Sequence, residues 1–147
     1  MKKSFFWSPH IDPQVATKKS VLNSLKFFDK FGKEFENSII NVFGEWDDYD
    51  FKNIKKINLL TGRNLIKQKF KGFFYSRLLY IKIFFSSYYP LKNILKKEKP
   101  DYLISHLITS LPIIMFAINN FETKLILRIS GFPKLNFFRF LLWKIAS

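Results

Sequence analysis

Short apolar runs alternate along the chain with longer segments in which apolar residues recur every three or four positions. Four runs are bounded by proline, glycine or polar turns, which is typical of buried strands, at residues 4–7, 39–43, 102–104 and 124–129. Residues 56–60 predict a further short strand. Strands that alternate with helices predict an α/β fold: an open parallel Rossmann-like sheet with helices on both faces.

Helical spacing of apolar residues predicts four helices, at residues 17–31, 73–88, 111–119 and 136–145. Thr17 is the predicted N-cap of the first helix, and Gly32 is its predicted C-terminal stop. Pro90 is expected to end or kink the second helix, because proline lacks the amide hydrogen that a helix interior needs. A further helical turn is then predicted at 91–97.

Length and composition indicate one domain, because 147 residues with 48% hydrophobic content suffice for a sizeable core. The chain has no cysteine, which excludes disulfide frameworks, thiolate zinc sites and cysteine nucleophiles and is compatible with a reducing compartment. The first apolar run stops at Ser8 and Pro9, so it is too short for a signal peptide. Residues 102–121 are uncharged, but polar residues and Pro112 favour a strand, a turn and a helix over a membrane span. A cytoplasmic location is therefore expected.

The formal net charge is +14, and arginine accounts for few of the basic residues, at Arg63, Arg77, Arg128 and Arg139. One interpretation is an anionic partner, either nucleic acid or the surface of an anionic membrane. The other is compositional bias, in which lysines spread along the chain form a solvated surface. Few arginines and no recognised binding motif argue against a specific nucleic-acid module.

The segment at 70–97 combines basic residues with a dense aromatic pattern. It is either an amphipathic surface that binds anionic lipid or a core helix with lysines on its solvated side. The candidate membrane-surface residues are Lys69, Lys71, Arg77 and Lys82.

Three motifs occur in a characteristic order. A proline-containing loop at 8–17 follows the first strand, Lys99-Pro100-Asp101 precedes a strand that ends at His106, and a later strand ends in a small residue and glycine at 130–131. Together they resemble the N-terminal, acceptor-side domain of family 4 (group 1) glycosyltransferases of the GT-B fold, over nearly the whole chain. Two departures are the absence of the family's glycine pair in the first loop and Ser130 where many members have histidine. The second departure leaves open whether that loop contacts the donor.

The resemblance implies transfer of a sugar from a nucleotide-sugar donor to a glycan or lipid-linked acceptor, in cell-envelope polysaccharide synthesis. The donor-binding residues and the carboxylate motif of the family belong to a C-terminal domain that is absent from residues 1–147. We therefore expect the isolated chain to be inactive, and its apolar last helix suggests a truncated or frameshifted reading frame or a fragment. No metal and no cofactor besides the sugar nucleotide is expected. A non-catalytic basic α/β module that binds a membrane surface or nucleic acid is the alternative.

Ligands of open parallel sheets bind at the carboxyl ends of the strands. The candidate acceptor-binding residues in the loops there are His10, Asp12, Gln14, His106, Thr109, Ser130 and Gly131. Asp12 equally suits a turn or a helix cap, and His106 equally suits a histidine satisfied by backbone groups. Arg128, within a predicted buried strand, is expected to form an internal ion pair or to anchor a loop. No residue is assigned a catalytic role. A dinucleotide enzyme is disfavoured because no glycine-rich fingerprint follows the first strand.

Overall fold

The computed structural model describes residues 1–8, 16–60, 73–106, 110–129 and 137–146. Its elements are β1 (Lys2–Trp7), α1 (Ala16–Phe31), β2 (Phe35–Asn41), β3 (Lys55–Asn58), α2 (Phe73–Glu98), β4 (Tyr102–His106), α3 (Ser110–Ala117), β5 (Lys124–Arg128) and α4 (Phe137–Ala146). The strands form one sheet in the order β3-β2-β1-β4-β5, and every pair is parallel. The prediction of an α/β fold with an open parallel Rossmann-like sheet is confirmed.

Both faces of the sheet are covered, because successive side chains of a strand point to opposite faces. On one face, apolar residues of the central strands pack with α1, in a cluster of Phe6, Val21, Leu25, Ile39, Trp46 and Ile104. On the other face they pack with α2 and α3, in a cluster that includes Phe5, Trp7, Ile40, Leu79, Ile83, Leu103, Leu111 and Met115. The continuous apolar runs of β1, β2 and β4 therefore reflect burial on both faces, as parallel sheets require.

The connection from β2 to β3 contains no helix and packs on the α1 face through Trp46, Tyr49 and Phe51. Gly44 has a φ of 86° in this connection, a conformation that glycine adopts without steric cost. The second strand was predicted to reach residue 43, but β2 ends at Asn41. The reason is that the amides of Val42 and Phe43 donate to the carboxylate of Glu45, at 2.9 and 2.7 Å, instead of to a neighbouring strand.

Of the two outcomes expected at Pro90, an end or a kink of the helix, the end is wrong, since one helix runs from Phe73 to Glu98 with Pro90 inside it. Pro90 removes one backbone hydrogen bond, to the carbonyl four residues earlier, but buried residues hold the helix to the sheet on both sides of it. These are Leu79 and Ile83 before the proline and Leu91 and Leu95 after it. Tertiary packing thus outweighs the local preference to break the helix.

Two predicted features of the other helices and strands are also corrected. Thr17 does not cap α1, because the helix already begins at Ala16. Strand β5 is an edge strand in which residues 124, 126 and 128 are exposed, not a buried strand, since β4 is its only neighbour in the described sheet. The predicted stop at Gly32 is confirmed: a Cβ there would lie 2.6 Å from the Phe28 carbonyl oxygen.

The Lys99-Pro100-Asp101 motif lies at the amino-terminal edge of the sheet. Lys99 adopts a left-handed conformation with a φ of 42° and donates its amide to the Leu95 carbonyl at 3.0 Å, which ends α2. The Asp101 carboxylate accepts the Lys3 amide at 2.7 Å, and the Asp101 carbonyl accepts the Lys124 amide at 2.8 Å. The motif therefore joins β4 to both of its neighbours.

Candidate functional site at the carboxyl ends of the central strands

The order of the strands places a topological switch point between β1 and β4. After β1 the chain passes through α1 to β2 on one side, and after β3 it passes through α2 to β4 on the other side. Helix α1, which follows β1, and helix α3, which follows β4, pack on opposite faces of the sheet. At such a switch point, open α/β sheets bind ligands outside the carboxyl ends of the strands. Ser8 and His106 are the last described residues before the loops that leave β1 and β4.

His106 is buried at this switch point, with 2% of its surface exposed. The Ser8 hydroxyl donates to the His106 carbonyl oxygen at 3.4 Å, so the ends of β1 and β4 are joined directly. The Nε2 atom of His106 has no hydrogen-bond partner among the described residues. A buried polar atom without a partner is uncommon in folded proteins and calls for an explanation such as a ligand or water.

Burial is the larger cause and the positive charge of Arg128 the smaller cause that together lower the pKa of His106 to about 4. The imidazole is therefore neutral at physiological pH. A neutral imidazole offers one donor and one acceptor, and it can exchange the two roles by changing tautomer. This chemistry suits a ligand hydroxyl better than it suits an anion.

Arg128 lies opposite His106 in the register of β5 and β4, so both side chains point to the α1 face. The Arg128 guanidinium donates to the Ser20 carbonyl at 3.3 Å and to the Ser24 hydroxyl. The expected anchoring role takes a different form, because Arg128 fastens the helix α1 and not a loop to the edge strand. No ion pair of Arg128 occurs among the described residues.

A second pair of buried polar groups lies at the same end of the sheet. Trp7 and Ser105 are opposite each other in the register of β1 and β4, and neither residue is exposed. Trp7 Nε1 and Ser105 Oγ lack partners among the described residues. These are neutral donors and acceptors, and they lie on the face of the sheet opposite to His106 and Arg128.

Of the seven candidate acceptor-binding residues, only His106 lies within the described part of the chain. The other six lie outside the described residues: His10, Asp12, Gln14, Thr109, Ser130 and Gly131. Lys69 and Lys71, candidates for the membrane surface, also lie outside them, whereas Arg77 and Lys82 belong to α2 and the side chain of Lys82 is exposed.

Sequence reasoning missed the polar cluster after β2. Glu45 is 3% exposed, and burial raises its pKa to about 7, against the lowering effect of the Val42 and Phe43 amides. The Asn41 amide nitrogen donates to Asp47 at 2.7 Å and to Asn58 at 2.8 Å, which joins the ends of β2 and β3. A turn-rich run of acidic residues after Gly44 gave no sign that one carboxyl group would fold back onto the strand end.

The side chain of Lys18, in the first turn of α1, is also buried next to this cluster. Its ammonium group lies 4.4 Å from the centroid of the Tyr49 ring and 5.7 Å from that of Trp46. A cation held by aromatic faces fixes α1 against the β2–β3 connection. The contact was not predicted, because the partners lie about thirty residues apart in the chain.

Within the described ranges, no three His, Cys, Asp or Glu side chains are grouped so that they could hold a metal ion. None of the helices in this part of the chain combines the length and apolar character needed to cross a bilayer. Comparison of the chain with protein-family models, with curated proteins and with solved structures found no match.

Proposed function

We propose that the chain is the acceptor-side domain of a glycosyltransferase, which transfers a sugar from a nucleotide-sugar donor to a glycan or lipid-linked acceptor in cell-envelope polysaccharide synthesis. The observation that carries the proposal is the buried, neutral His106 with an unpartnered Nε2 at the switch point of the sheet. Hydroxyl groups of a sugar are the ligands that such neutral donors and acceptors bind best.

The sequence resemblance supports the same conclusion, because His106 ends the strand that follows Lys99-Pro100-Asp101 in the family pattern. Glycosyl transfer requires an acceptor hydroxyl held beside the anomeric carbon and stabilisation of the leaving diphosphate. On this proposal, the described domain meets the first requirement. A second, donor-binding domain meets the other, and the activity takes place at the inner face of the cytoplasmic membrane.

Sugar binding by the 147-residue chain tests the proposal directly. Methyl glycosides of glucose, galactose, mannose and N-acetylglucosamine are titrated into protein labelled with nitrogen-15, and the backbone amide signals of residues 102–106 are followed by NMR. We expect a saturable shift with at least one glycoside, its loss in His106→Ala and its partial recovery in His106→Gln. His10→Ala, at the other candidate histidine, should weaken binding less than His106→Ala does. No response to any of the four glycosides contradicts the acceptor role.

Activity provides a second test. The chain alone is expected to consume no nucleotide sugar, because only one side of the cleft is present and the leaving diphosphate lacks its stabilising groups. Sustained turnover of UDP-glucose or GDP-mannose by the chain contradicts the assignment to the acceptor side. In a two-domain protein that supplies the donor-binding half, His106→Ala should lower turnover more than His10→Ala does.

A further inference from the structure

Helix α2 exposes large apolar side chains to solvent along one line. Leu78, Ile81, Phe85 and Tyr89 follow each other at intervals of three or four residues, and their exposed fractions are 61%, 53%, 69% and 67%. Residues at this spacing share one face of a helix. Lys82, Lys92 and Lys96 continue the same spacing. We call these seven residues the outward face of α2.

The opposite face of α2 explains why the outward face has no partner within the described fold. Leu79, Ile83, Leu91 and Leu95 are buried against the sheet and α3, at intervals that are multiples of four residues. A helix needs one such stripe to pack on a sheet. Among the described residues, the second apolar line therefore adds nothing to the packing of the fold, and exposed apolar patches of this kind mark interaction sites.

The charged residues of α2 are also almost all basic. Glu98 is its only acidic residue, and the Glu98 carboxylate lies 3.5 Å from the Lys3 ammonium group. The lysines of the outward face thus have no acidic neighbour on their own helix. The Lys92 ammonium group lies 5.7 Å from the centroid of the Tyr88 ring, which is partly buried and packs against the core beside the outward face.

We propose that the outward face of α2 binds the surface of a membrane that contains anionic lipids. The helix lies parallel to the bilayer, Phe85 and Tyr89 enter the headgroup region, and Lys82, Lys92 and Lys96 contact lipid phosphates. Helices with an apolar line flanked by lysines bind membranes in this orientation without crossing them. The inference does not depend on glycosyl transfer, since it rests only on the composition and exposure of α2.

An anionic bilayer fits the outward face better than nucleic acid does. A nucleic-acid surface would meet the lysines but would leave Leu78, Ile81 and Phe85 against phosphates, with no apolar region to enter. Phosphate recognition in nucleic acids also favours arginine, whose planar group binds two oxygens at once. Apart from Arg77, the basic residues of α2 are lysines.

Co-sedimentation of the chain with vesicles tests the electrostatic part. Vesicles of 30% phosphatidylglycerol in phosphatidylcholine should bind the chain, pure phosphatidylcholine should bind it weakly, and salt should reduce the difference. Reversing three charges together, Lys82→Glu, Lys92→Glu and Lys96→Glu, should lower the partition coefficient by about tenfold or more. Loss of salt dependence, or equal binding to both kinds of vesicle, overturns the proposal.

A matched control distinguishes binding by the outward face of α2 from binding by the net charge of the chain. The triple variant Lys26→Glu, Lys33→Glu and Lys124→Glu changes the charge of the chain by the same amount at exposed positions outside α2. We expect it to retain most of the binding. An equal loss in both triple variants shows that net charge alone is responsible and refutes the assignment to α2.

The apolar part is tested with Phe85→Ser, which should weaken binding by about tenfold if the ring enters the bilayer. Phe27→Ser is its control, because Phe27 is 60% exposed on α1.

A Tyr89→Trp variant should shift its fluorescence to shorter wavelength only with anionic vesicles, which shows burial of that position. Retention on duplex or single-stranded DNA that is lost in the Lys82, Lys92 and Lys96 triple variant but kept in Phe85→Ser, with no vesicle binding, identifies nucleic acid as the partner instead.

Discussion

His106 and Arg128 lie opposite each other in the parallel register of β4 and β5, and Arg128 reaches from there to Ser24 of α1. Burial is the larger cause of the low pKa of His106, and the Arg128 charge is the smaller. Arg128→Gln should therefore raise the pKa of His106 from about 4 but leave it below the ordinary value of 6.5. An NMR titration of the ring signals measures this, with His10→Gln to assign the two histidines. An unchanged pKa contradicts the proximity of the two groups.

Glu45 and His106 should affect stability with opposite signs as pH changes. The pKa of Glu45 is raised from 4.5 to about 7 by folding, so the folded chain binds the proton more tightly and the free energy of unfolding falls as pH rises between these values. The pKa of His106 is lowered from 6.5 to about 4, so the free energy of unfolding rises with pH between 4 and 6.5. Between pH 4.5 and 6.5 the two effects largely offset each other.

Glu45→Gln removes one of the two opposing effects. Glutamine resembles the protonated acid and keeps one oxygen that can accept the Val42 or Phe43 amide. The free energy of unfolding of this variant should then rise from pH 4.5 to 6.5, with a slope that approaches ~1.4 kcal/mol per pH unit. Urea unfolding at several pH values measures the slope, and Asp48→Asn is the exposed control. A slope equal to that of the unchanged chain contradicts the raised pKa of Glu45.

Pro90 does not end α2, but it should lower the stability of the helix. Pro90→Ala restores the backbone hydrogen bond to the carbonyl of Ser86, while the alanine loses the restriction that proline imposes on the unfolded chain. The net expectation is a gain of about 2 kcal/mol in the free energy of unfolding. Urea unfolding checks this, with Lys92→Ala as a control elsewhere on the same helix. A loss of stability would mean that the packing of Leu91 and Leu95 depends on a bend at the proline.

The types and order of the elements could be predicted from the sequence because they depend on local patterns. The strand cores at Phe5, Ile39 and Leu103 are apolar runs, and α1 has regular helical spacing. The errors concern features that packing between distant segments decides. The apolar residues of β5 did not reveal that this strand lies at an edge, and the proline in α2 did not reveal that buried leucines continue past it.

The candidate site was predictable only in part, for the same reason. The position of His106 at the end of a strand follows from the pattern of β4, and the carboxyl end is the general location of ligand sites. The low pKa of His106 depends mainly on its burial and to a smaller extent on Arg128, which lies beside it only when β5 pairs with β4. Local patterns likewise do not show the carboxylate of Glu45 turning back to Val42 and Phe43.

Asp101 should support the fold without taking part in ligand binding, although it belongs to the motif on which the family resemblance rests. The Asp101 carboxylate accepts the Lys3 amide at 2.7 Å at the amino-terminal edge of the sheet, whereas His106 lies at the carboxyl end of the same strand. Asp101→Ala should lower the free energy of unfolding by about 1 kcal/mol, because an exposed hydrogen bond to a charged group is lost.

Asp101→Asn, which keeps an acceptor oxygen, should recover part of this lost stability, and Asp48→Ala is the exposed acidic control. Urea unfolding gives the stabilities, and the glycoside titration of the His106 signals gives the binding. Normal stability of Asp101→Ala together with loss of glycoside binding would reverse the assignment and make Asp101 part of the ligand site.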